Sequence, residues 1–181
     1  RSSDLRLHFG EAAELAHFGS KILHPTCIEP ARRANIPIRL LNTLDPQAPG
    51  TLISCETSRD MVKAVSAKDG ISLLTLRRHP HIKSGSPLSD YVIAITQLIA
   101  KHNLCVDLLT TMGDSYLLAV EEAPEVAQFA EEAKEWGSVL YQKDMTIVAV
   151  VGDMGWDRMG FESRILDAID DIPIRMISYG S

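Results

Sequence analysis

Apolar positions along the chain follow two periods, one near 3.6 residues and one near 2, and these divide it into helices and strands. Glu11–Phe18 is rich in Ala, Glu and Leu, good helix formers, and Gly19 is a natural stop. Thr26–Ala34 reads as a second helix, with Thr26 as its N-cap. Ile36–Leu41 reads as a short strand with Pro37 near its start, and the rest of the first fifty-odd residues reads as helical and irregular. Asp45-Pro-Gln-Ala-Pro-Gly50 is a turn-rich break between two regions. Beyond it, Met61–Ser66 and Ile71–Leu76 alternate like strands and are divided by the turn signal Asp69-Gly70. Residues 77–89 form a polar loop. Asp90–His102 places Tyr91, Val92, Ile95, Leu98 and Ile99 on one helical face. Leu104–Leu109 and Ser115–Val120 are strands, Pro124 opens a helix that ends near Trp136-Gly137, and Ser138–Tyr141 is a short strand.

That order, β-α-β-β-α-β, predicts an α+β fold built on ferredoxin-like units, each a four-stranded antiparallel sheet with two helices on one face. The pattern then restarts. Met145–Gly152 reads as a strand, 153–159 as a polar loop, Gly160–Asp170 as a helix and Ile174–Ser178 as a strand. Val106-Asp-Leu-Leu-Thr110 aligns with Ile174-Arg-Met-Ile-Ser178, which makes the second stretch a degenerate repeat of the first. The repeat stops at Ser181, before its remaining strand and helix, so a fragment, or a unit that borrows a strand, is expected.

Composition excludes several classes of function. The formal net charge is −6 with both signs interspersed, which argues against nucleic acid as the main partner. No run of about 18 apolar residues is present, so no membrane span is expected. Arg1-Ser-Ser-Asp-Leu-Arg6 lacks the apolar core of a signal peptide. Cys27, Cys55 and Cys105 form neither a CxxC pair nor a disulfide framework, which suits a reducing, cytoplasmic setting.

Few residues carry chemistry by pattern alone. His79 and His81 form an HxH pair without a third ligand nearby in sequence, so a solvated loop is expected and no metal. His24 before Pro25 reads as structural, and Glu11, Glu14 and Glu29 as solvated helix faces. The loop Gly152–Gly160 has neither dinucleotide-binding nor P-loop spacing.

Phe9-Gly-Glu-Ala-Ala-Glu-Leu-Ala-His-Phe-Gly-Ser-Lys-Ile-Leu-His-Pro25, followed by Glu29-Pro-Ala-Arg-Arg-Ala-Asn-Ile-Pro-Ile-Arg39, Asn42-Thr43 and Pro49-Gly-Thr-Leu-Ile53, resembles the end of the catalytic domain of aspartate kinases. The later repeats resemble the paired ACT domains of that family, and Pro173-Ile-Arg-Met-Ile-Ser-Tyr-Gly180 is similar to a motif of the second one. The resemblance implies three regions: 1–56 from the kinase domain, 57–143 as the first ACT domain and 144–181 as an incomplete second one. The strand 61–66 would be shared with the second.

It also implies a function for the parent, phosphorylation of the aspartate side chain with Mg-ATP, under feedback control by an end-product amino acid. Lysine is the first expectation and threonine the next. The family's Lys-Phe-Gly-Gly-Thr-Ser phosphate motif has no counterpart here, so no catalytic residue, cofactor or kinase activity is expected of this stretch. By resemblance the effector carboxylate meets the backbone of Asp90, Tyr91 and Val92 at a helix start, and its ammonium meets Asp107 beside Val106, with Thr111 nearby. Relatives have Gly-Phe where this chain has Asp90-Tyr91, and Ser-Glu where it has Met112-Gly113. Arg175 takes the Asp107 position in the second repeat. A homodimer through the ACT domains is implied. The alternatives are a dimerisation scaffold that has lost sensing, or the regulatory part of an aspartate kinase fused to homoserine dehydrogenase.

Overall fold

The computed structural model describes residues 5–20, 23–56, 58–79, 88–154 and 159–179. They form two compact units, Arg1–Lys68 with Ile147–Ser181, and Asp69–Thr146. The elements in chain order are β1 (Leu5–His8), α1 (Phe9–His17), α2 (Pro25–Ala34), β2 (Ile38–Leu40), β3 (Thr51–Ser54), β4 (Ala64–Arg78) and α3 (Leu88–Lys101). Then follow β5 (Val106–Met112), β6 (Ser115–Glu121), α4 (Pro124–Ala133), β7 (Gly137–Val151) and α5 (Phe161–Asp167).

The first unit carries a three-stranded sheet in the order β1-β3-β2, with β1 parallel and β2 antiparallel to β3. Leu7, Phe9, Ala12, Leu15, Ile28, Ile53 and Val151 close its core. Helix α1 starts on a capping box: His8 Nδ1 accepts the Gly10 N–H, and Glu11 reaches back to accept the His8 N–H at 2.7 Å. Helix α2 begins one residue earlier than expected, because Pro25 suits the first helical turn; His24, not Thr26, is its N-cap. Glu29 is a partly exposed helix residue that ion-pairs with Arg32 and Arg33, and the two guanidinium groups hold its carboxyl down to about 2.

The second unit is ferredoxin-like. Its chain order is β4-α3-β5-β6-α4-β7 and its sheet order is β5-β6-β4-β7. Leu74, Leu76, Tyr116, Leu118 and Val120 point from the sheet into a core shared with Tyr91, Ile95 and Leu98 of α3 and Val126, Phe129, Ala130 and Ala133 of α4. This is the apolar face that the 3.6-residue period marks out.

Several expectations are corrected. The stretch read as irregular contains β1 and β3, whose ladder is parallel and cannot be seen locally. Strand β4 starts at Ala64, not Met61, and runs unbroken through Asp69-Gly70; Gly70 takes φ +71° within it. Likewise Ser138–Tyr141 and Met145–Gly152 are one strand, β7, with Asp144 at φ +58°. The two strands are antiparallel, with Gly137 against Arg77 at one end and Lys63 N–H bonded to Val151 O at 2.8 Å at the other. Ile174–Ser178 is not a strand, because no neighbouring strand pairs with it among the described residues. Helix α5 is shorter than read, from Gly160 as N-cap to Asp167. His81 and residues 155–158 of the second loop lie outside the described residues.

Candidate functional site

Helix α3 begins at Leu88, so Asp90 stands in its first turn, exposed. Tyr91 turns inward and is 2% exposed. Its ring meets that of Tyr116 edge-on at 5.3 Å between centroids. Burial pushes its hydroxyl up to about 12, reinforced by Tyr116 and Asp114 and opposed by Arg78. Val92 packs half-buried against the same core.

On β5, Val106 pairs with Val120 and Leu108 with Ala119, so the register shifts by one residue at Asp107, which forms a bulge. The bulge shifts the alternation by one residue. Val106 and Thr111 therefore both pair with residues of the helix-side core, Val120 and Tyr116, although five positions separate them. Asp107 is half-buried and Thr111 exposed. The β5–β6 hairpin closes through Gly113-Asp114 with Gly113 at φ +58°.

The six residues expected to bind an effector do not converge within one chain. Arg77 pairs with Ser115, and the Arg78 N–H meets Asp114 O at 3.0 Å, so the end of β4, the β5–β6 hairpin, Thr111 and the start of α3 share one end of the unit. Val106 and Asp107 lie at the other end, about 20 Å away by the rise of a fourteen-residue helix. That far end also holds a clasp: Glu122 accepts from Tyr141 Oη at 2.8 Å, Lys143 Nζ at 2.7 Å and Ser72 Oγ. The Lys143 ammonium, then Ser72, holds the Glu122 carboxyl below the usual range.

Sequence reasoning missed Gly137 and Tyr116. A Cβ on Gly137 would stand 2.2 Å from Arg77 O and 3.1 Å from the Tyr91 hydroxyl, so glycine is what lets β7 approach β4 beside α3. A glycine after a helical pattern is its one local sign, and that sign reads as a cap, although α4 ends earlier, at Ala133. His79 Nε2 lies 3.3 Å from Lys134 O. No group of three or more His, Cys, Asp or Glu able to hold a metal occurs among the described residues, and no described helix is long and apolar enough to cross a membrane.

No protein-family model matches the chain. Lysine-sensitive aspartokinase 3 of Escherichia coli is 29% identical over 182 residues, which cover 96% of this chain and 40% of that protein. Chloroplastic aspartokinase 3 of Arabidopsis thaliana is 32% identical over 191 residues, 97% of this chain and 33% of that one. The structure of E. coli aspartokinase III with aspartate and ADP, in its R-state, superposes with a TM-score of 0.83 at 28% identity over 99% of this chain and 41% of that chain. Its T-state, with lysine and aspartate, gives 0.76 over 98% of this chain and 40% of that chain. A structure described as a C-terminal regulatory domain of aspartate kinase from Porphyromonas gingivalis gives 0.56 at 29% identity, over 67% of this chain and 81% of that one. The chain thus spans two fifths or less of the length of the curated relatives named here. By sequence along nearly its whole length and by fold, the chain belongs to the aspartokinase family and includes the regulatory region of those longer proteins.

Proposed function

We propose that the chain senses an end-product amino acid, lysine before threonine, and so controls an aspartokinase that phosphorylates the aspartate side chain with Mg-ATP. Residues 57–143 would be the first ACT domain, 144–181 part of a second, and 1–56 the end of the kinase domain. The observation that carries the reading is Asp107. A bulge on the edge strand β5 re-aims its carboxylate, as bulges do beside binding sites, and an α-ammonium is the complementary group. The unpaired N–H groups and dipole at the start of α3 suit the α-carboxylate.

These half-sites are about 20 Å apart in one chain, farther than one amino acid spans. The reading therefore includes a second copy, with the α3 start of one protomer facing Asp107 of its partner. A ligand held this way favours one arrangement of the protomers, and the coupling to aspartate and ATP is reciprocal. The chain itself holds no phosphate-binding motif and has no kinase activity in this reading. Three exposed free cysteines suit a reducing cytoplasm.

Calorimetry with lysine, threonine and methionine on the wild-type chain and on Asp107→Ala tests the site, and light scattering tests the dimer. Heat with lysine that disappears in Asp107→Ala supports the proposal. No heat with any of the three favours a second reading, a dimerisation scaffold without sensing, which the acidic Asp90 in the first turn of α3 and Met112-Gly113 on the hairpin motivate. Aspartyl phosphate formed by the purified chain would refute the absence of kinase activity.

A further inference from the structure

Lys63 stands just before β4, and its side chain is 1% exposed. Its ammonium meets Glu11 Oε1 at 2.6 Å, a contact across 52 residues of sequence within the first unit. A buried ammonium without a counter-ion is costly, so this pair holds together or opens as a whole. The same Glu11 carboxylate caps α1 through Oε2 and the His8 N–H. Any movement of Lys63 therefore acts on the start of α1 and on β1, which leads directly into it.

The other end of α1 is fastened to the same segment by different chemistry. Ser66 Oγ donates to Phe18 O at 2.6 Å, satisfying a carbonyl that the helix end leaves open. Gly19 follows at φ +95°, and a Cβ there would stand 2.3 Å from Ala67 O. Between the two points Ala64 packs against the core that holds Phe9 and Leu15. Thus Glu11 and Phe18–Gly19, about two turns of helix apart, both rest on residues 63–67. Those residues continue without a break along β4, the strand that lies second from the edge in the ferredoxin-like sheet.

We propose that α1 and residues 63–67 form a two-point clamp, and that Lys63 is the positioning residue through which a displacement of β4 reaches α1 and the β1-β3-β2 sheet. The clamp assigns a relay to the regulatory reading above and rests on that reading for its use. Its existence can be judged without any ligand.

The experiment is hydrogen exchange read by mass spectrometry on the intact chain. In the ligand-free chain, Lys63→Met is expected to speed exchange at least tenfold both in 11–18 and in 63–67. Ser66→Ala is expected to speed both by two- to fivefold, and Lys63→Arg to restore most of the protection. Loss of protection in one segment while the other stays within twofold of wild type overturns the clamp. If circular dichroism shows that Lys63→Met does not fold, Ser66→Ala decides by the same criterion.

A second arm adds whichever amino acid gives heat with the wild type. The clamp then requires protection in α1 to change with ligand in the wild type. In Lys63→Met or Ser66→Ala that response is expected to shrink at least threefold, while the response in α3 and β5 persists. An undiminished α1 response in the variants overturns the relay. If no amino acid gives heat, the sensing reading fails and the relay with it, and the ligand-free arm alone decides whether the clamp exists.

Discussion

The rings of Tyr91 and Tyr116 meet edge-to-face, 5.3 Å between centroids and 71° between planes, and neither hydroxyl has a hydrogen-bond partner among the described residues. Leaving a buried donor unpaired costs about 1–3 kcal/mol. Tyr91→Phe and Tyr116→Phe are each expected to raise stability by about 1 kcal/mol, read as a higher denaturant midpoint with an unchanged slope. A fall in the midpoint for both would mean that the hydroxyls are satisfied in solution.

The same burial has a consequence in alkali. The folded-state pKa of Tyr91 is raised to about 12, above its ordinary value near 10. The neutral phenol is therefore favoured by the fold, and this contribution is complete below pH 10 and lost as pH rises toward 12. Burial raises the Tyr116 hydroxyl as well, so ultraviolet titration of tyrosinate should show more than one of the four tyrosines ionising late, and Tyr91→Phe should remove one of them.

Gly137 and Gly113 separate two reasons for glycine. Alanine at 137 drives a Cβ into Arg77 O and parts β7 from β4, at an expected cost of about 1–3 kcal/mol. Alanine at 113 meets no atom within 4 Å and pays only for its positive φ, about 1 kcal/mol. Urea unfolding of the two variants should rank them in that order.

Glu122→Gln should remove the clasp with Lys143 and weaken those with Tyr141 and Ser72, lowering stability by about 1 kcal/mol at neutral pH, since the carboxylate is partly solvated. The folded pKa of Glu122 is depressed, so its contribution is present above the unfolded value of 4.5 and fades as pH falls through the folded one. The difference in melting temperature between wild type and variant should therefore vanish in strong acid. A constant difference would assign the effect to packing.

Asp107 offers a test of register. Deleting the bulged residue converts β5 into a regular ladder without moving the side chains of 108–112, so the deletion variant should fold with a loss of about 1 kcal/mol or less. Deleting Leu109 together with Asp107 leaves no extra residue to absorb the loss, so the faces on one side of the gap reverse and the cooperative transition should be lost. Circular dichroism on thermal unfolding distinguishes the two outcomes.

How far these features can be read from sequence depends on how local their causes are. Helices α3 and α4 are legible because each buries one stripe, from Tyr91 to Leu98 and from Val126 to Ala133. Strands β1 and β3 are short and pair in parallel across some forty intervening residues, so no local pattern announces them. Gly70 and Asp144 read as breaks because positive φ is usual in turns, yet the strands continue through both, held by the neighbouring ladder. The six residues expected to bind an effector could be named from family resemblance. Their separation into two ends of the unit could not, because it follows from the antiparallel run of α3 against β5.

The ends of the second unit meet: Thr146 Oγ1 donates to Asp69 Oδ1 at 2.7 Å. Residues 69–146 are thus a loop-out from a host chain that enters and leaves at neighbouring points. At the level of the gene, such a stretch is a cassette. It can be excised or exchanged by joining two adjacent strand positions with a short turn, so the inserted unit and the chain that carries it are free to diversify at different rates.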